Sequence, residues 1–374
     1  MKPTKVLLIA PSPDFAGGIS RWARHIFARH AKTPDAIKLE FLCQNYYSSA
    51  IERKGLGRIT SGIKNYIKTI QLLKRKLKVS HYDTLHLTSS ASLSLIKDLI
   101  ILRLARRYGI RRVLHFHFGR IPELKQKNNW EWRLIQRTIK RASTAIVIDL
   151  SSYNTLRDAG FHNIENLANP ISEEVLSIVK KNIETQAIKI EPRTITFVGQ
   201  MLPTKGIYEL IEACRKIKNI KLNMYGLIPS GTREELEHRA GEEHSKWLNI
   251  WGEIPYAQVI GEMQRCEVFA LPTYTEGFPN VILESMAAGC AIVASNVGAI
   301  PEMLDCGDKR CGICIVPKST SELLSAIEWL LSHPTEAQEL RHRAAKRVSE
   351  EYSMDIIWKK LTEIWKQTEQ TKQQ

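Results

Sequence analysis

The sequence predicts an α/β protein built from two Rossmann-like domains. Short apolar runs alternate with helical patterns in both halves of the 374-residue chain, and repeated units of this kind form parallel sheets covered on both faces. The chain is long enough for two hydrophobic cores. A polar segment without strand character, residues 180–192, separates the two sets of units. We therefore expect two domains that face each other across a cleft, with ligands at the carboxyl ends of the strands.

The order of the apolar runs predicts the domain boundaries. Residues 1–180 form the first domain, residues 192–350 form the second, and residues 351–374 read as a helix with a polar tail. Strands are predicted in the first domain at 6–10, 39–43, 84–88, 113–117 and 145–148. Strands are predicted in the second domain at 195–198, 222–224, 268–271, 291–294 and 313–316.

Composition and charge narrow the class of protein. The chain is 43% hydrophobic and 25% charged, which is typical of globular proteins. Its apolar runs are too short or too interrupted for a bilayer span or a signal peptide, so we expect a cytoplasmic protein. Residues 1–190 carry 33 Lys and Arg against 14 Asp and Glu, whereas residues 191–374 carry 21 against 25. A basic half and a mildly acidic half predict partners of different character.

Seven cysteines are scattered along the chain, and in a cytoplasmic protein most of them are expected to be free thiols. Cys306, Cys311 and Cys314 form the only cluster. No fourth ligand stands at a spacing typical of zinc sites, and residues 312–316 read well as a buried strand. We therefore expect no metal site.

The segment TEGFPNVILESMAAG is the most informative stretch of the chain, because it places Glu276 and Glu284 eight positions apart. The Gly-Phe-Pro-Asn stretch between them favours a turn, and residues 281–288 read as a helix that Gly289 ends. Free N–H groups at a helix start suit phosphate or sugar oxygens. Two nearby carboxylates repel phosphate, so they suit the neutral hydroxyls of a sugar and a ribose.

A second motif, ITFVGQMLPTKG, begins the second domain. It reads as a strand, a glycine turn at Gly199, and Lys205 just before a helix. A lysine amine beside the free N–H groups of a helix start makes a site for a diphosphate. A surface turn with a solvated lysine is the alternative.

These motifs resemble the retaining glycosyltransferases of family 4, whose GT-B fold consists of two Rossmann-like domains. The Glu-x7-Glu block matches the family, and so does the Gly-x5-Lys-Gly element, although Gln200 stands where an arginine is common. The resemblance implies that Glu276, Lys205 and His117 are catalytic, that no metal or cofactor is needed, and that the terminal helix crosses back onto the first domain. It assigns contacts with the donor to Gly17, Gly18, Gly199, Gln200, Lys205, Gly226, Glu276, Gly277, Phe278, Pro279, Asn280, Val281 and Glu284.

The first domain contributes two of these elements. Gly17 and Gly18 lie between a strand and a helix, where glycine lets a ligand approach the backbone, although a plain turn is the alternative. His115 and His117 end a strand on one face, where an imidazole can hydrogen-bond to a sugar. Two satisfied structural histidines are the alternative. The family has a histidine here that contacts the donor sugar, and His117 matches it better than His115.

A basic amphipathic helix is predicted over residues 59–78. Its apolar residues recur at spacings of three and four, with cations mainly on other faces. The apolar set is Ile59, Ile63, Ile67, Ile70, Leu73 and Leu77, and the cations are Lys64, Lys68, Lys74, Arg75, Lys76 and Lys78. Such a helix suits an anionic membrane surface, and a core-packed helix with a solvated basic face is equally compatible. Nucleic acid is disfavoured, because no recognition motif appears and aromatic residues are not interleaved with the basic runs.

The prediction is a retaining glycosyltransferase that moves a hexose-type sugar from a UDP- or GDP-sugar to an acceptor hydroxyl. We expect a lipid-linked or saccharide acceptor of cell-surface glycan synthesis, bound by the basic first domain at the inner face of the plasma membrane. The alternatives are a sugar-nucleotide epimerase or sugar-phosphate synthase on the same fold. A non-catalytic basic protein that binds membrane or nucleic acid is a third.

Overall fold

The protein divides into two compact α/β units. The computed structural model describes residues 3–15, 17–33, 37–44, 56–186, 188–304, 307 and 309–367, and only the backbone of residues 56–63. One unit comprises Met1–Pro170 with Asp355–Gln374, and the other comprises Ile171–Met354. Each unit is built on a parallel six-stranded sheet, so the predicted fold class is confirmed.

The first unit has the sheet order β2-β1-β3-β4-β5-β6. Its strands are β1 (Thr4–Ala10), β2 (Ile37–Cys43), β3 (Thr84–Ser89), β4 (Arg111–Phe116), β5 (Thr144–Val147) and β6 (Ile164–Asn166). Its helices are α1 (Gly18–Lys32), α2 (Leu56–Val79), α3 (Ser94–Arg107), α4 (Ile121–Lys127), α5 (Trp130–Ile139) and α6 (Leu150–Asp158). The strand order reverses between β1 and β3, and in open α/β sheets ligands bind beyond the carboxyl ends of the strands at such a point.

The second unit has the sheet order β12-β11-β10-β7-β8-β9, which reverses between β7 and β10. Its strands are β7 (Thr194–Val198), β8 (Lys221–Tyr225), β9 (Leu248–Gly252), β10 (Val268–Leu271), β11 (Ala291–Ser295) and β12 (Ile313–Ile315). Its helices are α7 (Glu173–Glu184), α8 (Ile207–Cys214), α9 (Thr232–Ala240), α10 (Tyr256–Arg265), α11 (Asn280–Ala288), α12 (Ile300–Leu304), α13 (Thr320–Ser332) and α14 (Pro334–Glu351).

The division of the chain differs from the predicted boundaries around α7. This helix lies in the second unit, although residues 171–180 were assigned to the first domain and the linker was placed at 180–192. Ser172 caps the helix by accepting a hydrogen bond from the Glu174 N–H at 3.2 Å, and Val175 and Val179 are buried. The N-cap and the apolar face both stabilise this helix. It was not predicted from the sequence, because the second half of the helix is mainly polar.

Two edge strands, β6 and β9, were not predicted. β6 has only three residues, two of them polar, and β9 includes Asn249 and the exposed Trp251. A strand at the edge of a sheet is covered less completely than a central strand, so fewer of its side chains must be apolar. Their sequences therefore lack the continuous apolar run that marks the central strands of a parallel sheet.

The last helix, α15 (Met354–Lys366), packs against the first unit. Trp365 is fully buried, and its indole Nε1 donates to His86 Nδ1 at 2.9 Å. Its backbone carbonyl accepts from the Thr84 hydroxyl at 2.9 Å. The side chain therefore joins the end of the chain to strand β3. The polar tail at 368–374 lies outside the described residues.

Helix α2 matches the predicted basic amphipathic helix, and its described apolar residues divide between the core and the surface, where Ile67 is exposed. Leu73 and Leu77 are buried in the core of the first unit, whereas Lys64, Lys74 and Lys78 are exposed. The side chains of Ile59 and Ile63 lie outside the described residues. Across the described part of the chain, no helix has the length and hydropathy needed to cross a membrane.

Candidate active site

The strongest candidate site lies at the switch point of the second sheet. Lys205 follows β7 and Glu276 follows β10, and these two strands pair with each other at the point where the strand order reverses. Parallel strands end at the same edge of a sheet, so two motifs distant in sequence meet there. The structure thus brings together the two residues predicted to be catalytic in the second domain.

The loop that carries Lys205 is held tightly against the loop after β10. Lys205 ends a short 3₁₀ turn, and Gly206 follows with a φ of 71°. A Cβ at Gly206 would lie 2.0 Å from the carbonyl oxygen of Pro272, so only glycine allows this approach. The Tyr274 N–H also donates to the Thr204 carbonyl at 2.8 Å. These contacts fix the position of Lys205 relative to the segment that leads to Glu276.

Lys205 and Glu276 form an ion pair. The Lys205 Nζ lies 2.5 Å from Glu276 Oε1, and 25% of the lysine side chain and 14% of the glutamate side chain are exposed. A partly desolvated pair interacts more strongly than a surface pair, because water screens it less. The arrangement places one cation and one carboxylate at the same point of the sheet edge.

The backbone of Glu276 is supported by Gly298, a residue that sequence reasoning missed. Gly298 has a φ of 56°, and a Cβ there would lie 2.3 Å from the Glu276 carbonyl oxygen. The next N–H, of Ala299, donates to the Gly277 carbonyl at 2.9 Å. The Asn-Val-Gly sequence after β11 was a turn signal, but it gave no indication that the turn packs under Glu276.

Glu284 is buried inside α11 and is already hydrogen-bonded. The Tyr256 hydroxyl donates to Glu284 Oε1 at 2.7 Å, and this tyrosine had no sequence signal of function. Helix α11 begins at Asn280, one residue before the predicted start, and ends at Gly289 with a φ of 76°. The Tyr256 bond orients the carboxylate that was predicted to bind the ribose.

The other residues predicted to contact the donor in the Glu276 turn fall into two groups. Phe278 and Pro279 are buried, and the Phe278 ring lies 5.9 Å from the ring of Tyr352, so Phe278 anchors the turn in the core. Gly277, Asn280 and Val281 are partly exposed. These three residues lie in the turn and in the first positions of α11.

Glycines also shape the edge beyond β7 and β8. A Cβ at Gly226 would lie 2.1 Å from the carbonyl oxygen of Gly199, so the two turns touch through their backbones. The Gly226 N–H donates to the Gly252 carbonyl at 2.7 Å. Gln200, which follows Gly199, is exposed. This neutral side chain supplies no second positive charge where an arginine is common.

The candidate residues of the first unit lie between β1 and α1 and at the end of β4. Gly17 and Gly18 are exposed at the start of α1, and the Gly17 carbonyl accepts from the Arg21 N–H at 3.0 Å. The His115 and His117 rings lie 3.9 Å apart, as the period of two predicts. Trp22 contacts both rings, at 5.1 and 5.0 Å.

His86 completes this histidine cluster and was not predicted. Its ring lies 5.4 Å from that of His115. Burial lowers the pKa of His117 to about 3, and burial with the nearby His117 lowers the pKa of His86 to about 3. Burial lowers the pKa of His115 as well. All three imidazoles are therefore neutral near pH 7, and neutral His117 is suited to hydrogen bonding rather than to charge.

The described residues contain no group of three His, Cys, Asp or Glu side chains arranged to hold a metal ion. Five of the described cysteines lie outside any disulfide, as expected for most cysteines of this chain: Cys43, Cys214, Cys266, Cys290 and Cys311. Cys314 is disulfide-bonded. Cys306 lies outside the described residues.

Comparison with known proteins identifies the second unit. Residues 179–349 match the family described as glycosyl transferases group 1, and this range covers the Lys205, Glu276 and Glu284 motifs. The second unit is a group 1 glycosyltransferase domain. The resemblance inferred from the Glu-x7-Glu block and the Lys205 element is thereby confirmed at the level of this family.

Curated relatives of the group 1 domain include two glycosyltransferases. The MMP alpha-(1->4)-mannosyltransferase of Mycolicibacterium hassiacum is 26% identical over 50% of this chain and 47% of that protein. The capsular polysaccharide biosynthesis glycosyltransferase CapM of Staphylococcus aureus is 25% identical over 59% of this chain and 57% of that protein. The chain thus spans about half of the length of each relative.

The fold of both units is shared with a solved structure. Anabaena Alr3699/HepE in complex with UDP superposes with a TM-score of 0.70 at 15% identity, covering 96% of this chain and 99% of that one. At this identity the likeness concerns the fold. It extends the similarity from the group 1 domain to the first unit.

Proposed function

We propose that the protein is a retaining glycosyltransferase that transfers a hexose-type sugar from a UDP- or GDP-sugar to an acceptor hydroxyl. The observation that carries the proposal is the Lys205–Glu276 ion pair at the switch point of a group 1 domain. A cation and a carboxylate at that edge match the two chemical parts of a nucleotide-sugar, an anionic diphosphate and a neutral polyol.

Lys205 and Glu276 would act by exchanging partners. The diphosphate competes with Glu276 for the Lys205 ammonium, because both accept hydrogen bonds from the same group. Once Lys205 turns to the diphosphate, Glu276 accepts hydrogen bonds from sugar hydroxyls. The cation then stabilises the negative charge that develops on the leaving diphosphate, which is the main task of the protein in such a transfer.

Glu284, His117 and the glycine turns would position the donor. Glu284, oriented by Tyr256, accepts from the ribose hydroxyls, and the close turns at Gly199 and Gly226 let the nucleotide approach the backbone. The resemblance to family 4 assigns neutral His117 a hydrogen bond with the donor sugar, and it assigns Gly17 and Gly18 contacts with the donor phosphate. The acceptor attacks the face that the diphosphate leaves, and its proton passes to the leaving oxygen.

The acceptor we propose is a lipid-linked or saccharide intermediate of cell-surface glycan synthesis, used at the inner face of the plasma membrane. The capsular-polysaccharide role in the name of the CapM relative and the UDP bound to Anabaena HepE support this assignment of acceptor and donor class. The excess of Lys and Arg in residues 1–190 fits a surface of anionic lipids.

The experiment that tests the proposal is a panel of UDP- and GDP-sugars, each incubated with the full-length protein and a lipid-linked or saccharide acceptor. We expect one donor to release its nucleoside diphosphate only when acceptor is present, and the product to keep the anomeric configuration of the donor. Lys205→Ala should abolish this release. An isomerised donor would identify a sugar-nucleotide epimerase. Formation of a sugar phosphate would identify a sugar-phosphate synthase. Binding without any turnover would overturn the enzymatic assignment.

A further inference from the structure

The outer face of α3 exposes large apolar side chains in its first turns. Residues 93, 96 and 100 are spaced by three and four, so they lie on one side of the helix. Trp130, the first residue of the neighbouring helix α5, is exposed in the same way. The exposed fractions are 61% for Leu93, 50% for Ile96, 41% for Ile100 and 52% for Trp130. Several exposed large apolar side chains on one face mark an interaction site.

The two helices lie side by side and start at the same edge of the first sheet. They connect β3 to β4 and β4 to β5, which are neighbours in the sheet, and right-handed connections place such helices on one face. The Ser92 N–H and hydroxyl both donate to Glu131 Oε1, at 2.8 and 3.0 Å. Arg120 donates to the same carboxylate at 2.7 Å. This network ties the chain beside Leu93 to the chain beside Trp130.

The charges on the outer faces of these helices are all positive. Further along the helices the exposed side chains are Arg103, Arg106 and Arg107 on α3 and Arg133 and Arg137 on α5. The only acidic residues of the two helices, Asp98 and Glu131, are buried. Asp98 accepts from the Ser89 hydroxyl at 2.6 Å. Both acids are therefore occupied within the unit and do not offset the outward arginines.

We propose that this face is a membrane-docking surface that inserts Leu93, Ile96, Ile100 and Trp130 into an anionic bilayer. The first arginine of each helix follows the apolar residues by three positions, a rise of about 4.5 Å. That distance is comparable to the depth of the headgroup layer at about 5–8 Å per leaflet. The arginines then reach lipid phosphates while the apolar side chains enter the acyl boundary, and tryptophan is favoured at that depth.

This proposal deepens the proposed function, because it rests on an acceptor or product at a lipid surface, and it assigns docking to α3 and α5. Helix α2, the membrane candidate from the sequence, directs Leu73 and Leu77 into the core. Its outer side carries cations and two apolar side chains, Ile67 and Val79, that lie far apart on the helix. A face dominated by cations attracts lipids mainly through electrostatics. The α3–α5 face adds apolar insertion, which salt does not screen.

The test is co-sedimentation of the full-length protein with vesicles of neutral lipid, or of neutral lipid with about a third anionic lipid, at low and high salt. We expect wild type to bind anionic vesicles and to keep part of that binding at high salt. The triple variant Ile96→Ser, Ile100→Ser, Trp130→Ser should lose the salt-resistant part, lowering the partition coefficient by at least about tenfold. Arg133→Glu with Arg137→Glu should lose mainly the salt-sensitive part.

A matched control is Ile183→Ser, which removes an exposed isoleucine from α7 in the second unit and should leave vesicle binding unchanged. Wild-type binding by the triple variant, or tighter binding of single-stranded RNA than of anionic vesicles, would overturn the proposal. Release of nucleoside diphosphate with a soluble acceptor tests the glycosyltransferase activity separately from the membrane-docking surface. Surface variants should keep that release, and a protein that binds vesicles but turns over no donor would contradict only the proposed function.

Discussion

The charge on Glu276 is the residue-level feature with the most direct functional consequence. Its carboxylate pairs with Lys205, and its backbone is packed against Gly298. We expect Glu276→Gln to lower the transfer rate by at least about a hundredfold, the usual effect of removing one positioned electrostatic group. The side chain remains isosteric, so the melting temperature should change little. Initial rates of nucleoside diphosphate release and a thermal melt measure the two effects.

The matched control for Glu276→Gln is Glu243→Gln, which removes the carboxylate of the exposed Lys246–Glu243 pair in the same unit. Surface pairs of this kind contribute about 0–1 kcal/mol, so both rate and stability should stay at the wild-type level. Wild-type turnover by Glu276→Gln would contradict the assignment of Glu276 to the active site. A collapsed thermal transition would make its role structural.

Gly298 offers a second residue-level prediction. Gly298→Ala forces a Cβ against the Glu276 carbonyl at 2.3 Å, so we expect the Glu276 turn to shift and transfer to fall by at least about tenfold. Misplacement of a catalytic group by about 1 Å can cost up to about a hundredfold in rate. The measurement is kcat, read together with the affinity for free nucleoside diphosphate.

Gly289→Ala is the control for Gly298→Ala, because it also has a positive φ, 76°, but a Cβ there meets nothing within 4 Å. Backbone strain should cost each variant about 1 kcal/mol of stability, and the contact with the Glu276 carbonyl adds a further cost only in Gly298→Ala. Only Gly298→Ala should lose turnover. An equal loss of turnover in both variants would mean that backbone strain, and not the contact with Glu276, is responsible.

At the scale of elements, the attachment of α15 to the first unit depends on Trp365. This side chain is buried and donates to His86. We expect Trp365→Ala to lower the free energy of unfolding by about 3–5 kcal/mol, as large-to-small core substitutions do. Trp365→Phe should cost less, because it keeps most of the packing. Its remaining cost is the loss of the hydrogen bond to His86 Nδ1. Urea denaturation followed by circular dichroism measures both changes.

The neighbouring exposed Lys366 provides the control for α15, and Lys366→Ala should stay within about 0.5 kcal/mol of wild type. If Trp365→Ala were as stable as Lys366→Ala, the helix would not contribute to the first unit. Equal losses for the phenylalanine and alanine variants would assign the stabilisation to the hydrogen bond alone.

At the scale of the whole molecule, buried histidines predict how stability depends on pH. His86 and His117 have a pKa of about 3 in the folded protein, against about 6.5 in an unfolded chain. As pH falls below 6.5 the unfolded state binds protons first. The free energy of unfolding should therefore fall, by up to about 1.4 kcal/mol per pH unit for each histidine. Asp149 opposes this loss, since burial raises its pKa to about 6.

The pH effect is measured by urea denaturation between pH 7.5 and 4.5, comparing wild type with His115→Leu. Burial lowers the pKa of His115 too, so its removal should make the dependence shallower. Constant stability from pH 7.5 to 5.5, or an unchanged slope in His115→Leu, would contradict the prediction.

Local sequence patterns determined the class of fold and the chemistry of the two main motifs. Apolar runs between turn residues located the central strands, because a strand buried on both faces must be continuously apolar. The start and end of α11 were readable from Pro279 and Gly289, since capping depends on the conformation of a few consecutive residues. Spacing alone also placed His115 and His117 on one face.

Only the tertiary structure decided which of these pieces meet. Lys205 and Glu276 are 71 residues apart, and they pair because β10 inserts beside β7, a strand order that no local pattern encodes. The same holds for Gly298 under Glu276, for Tyr256 on Glu284, and for the contact of Trp365 with His86. The inward burial of Asp98 and Glu131, which leaves α3 and α5 outwardly positive, likewise depends on partners far along the chain. A local sequence pattern specifies conformation, whereas these contacts follow from the packing order of strands and helices.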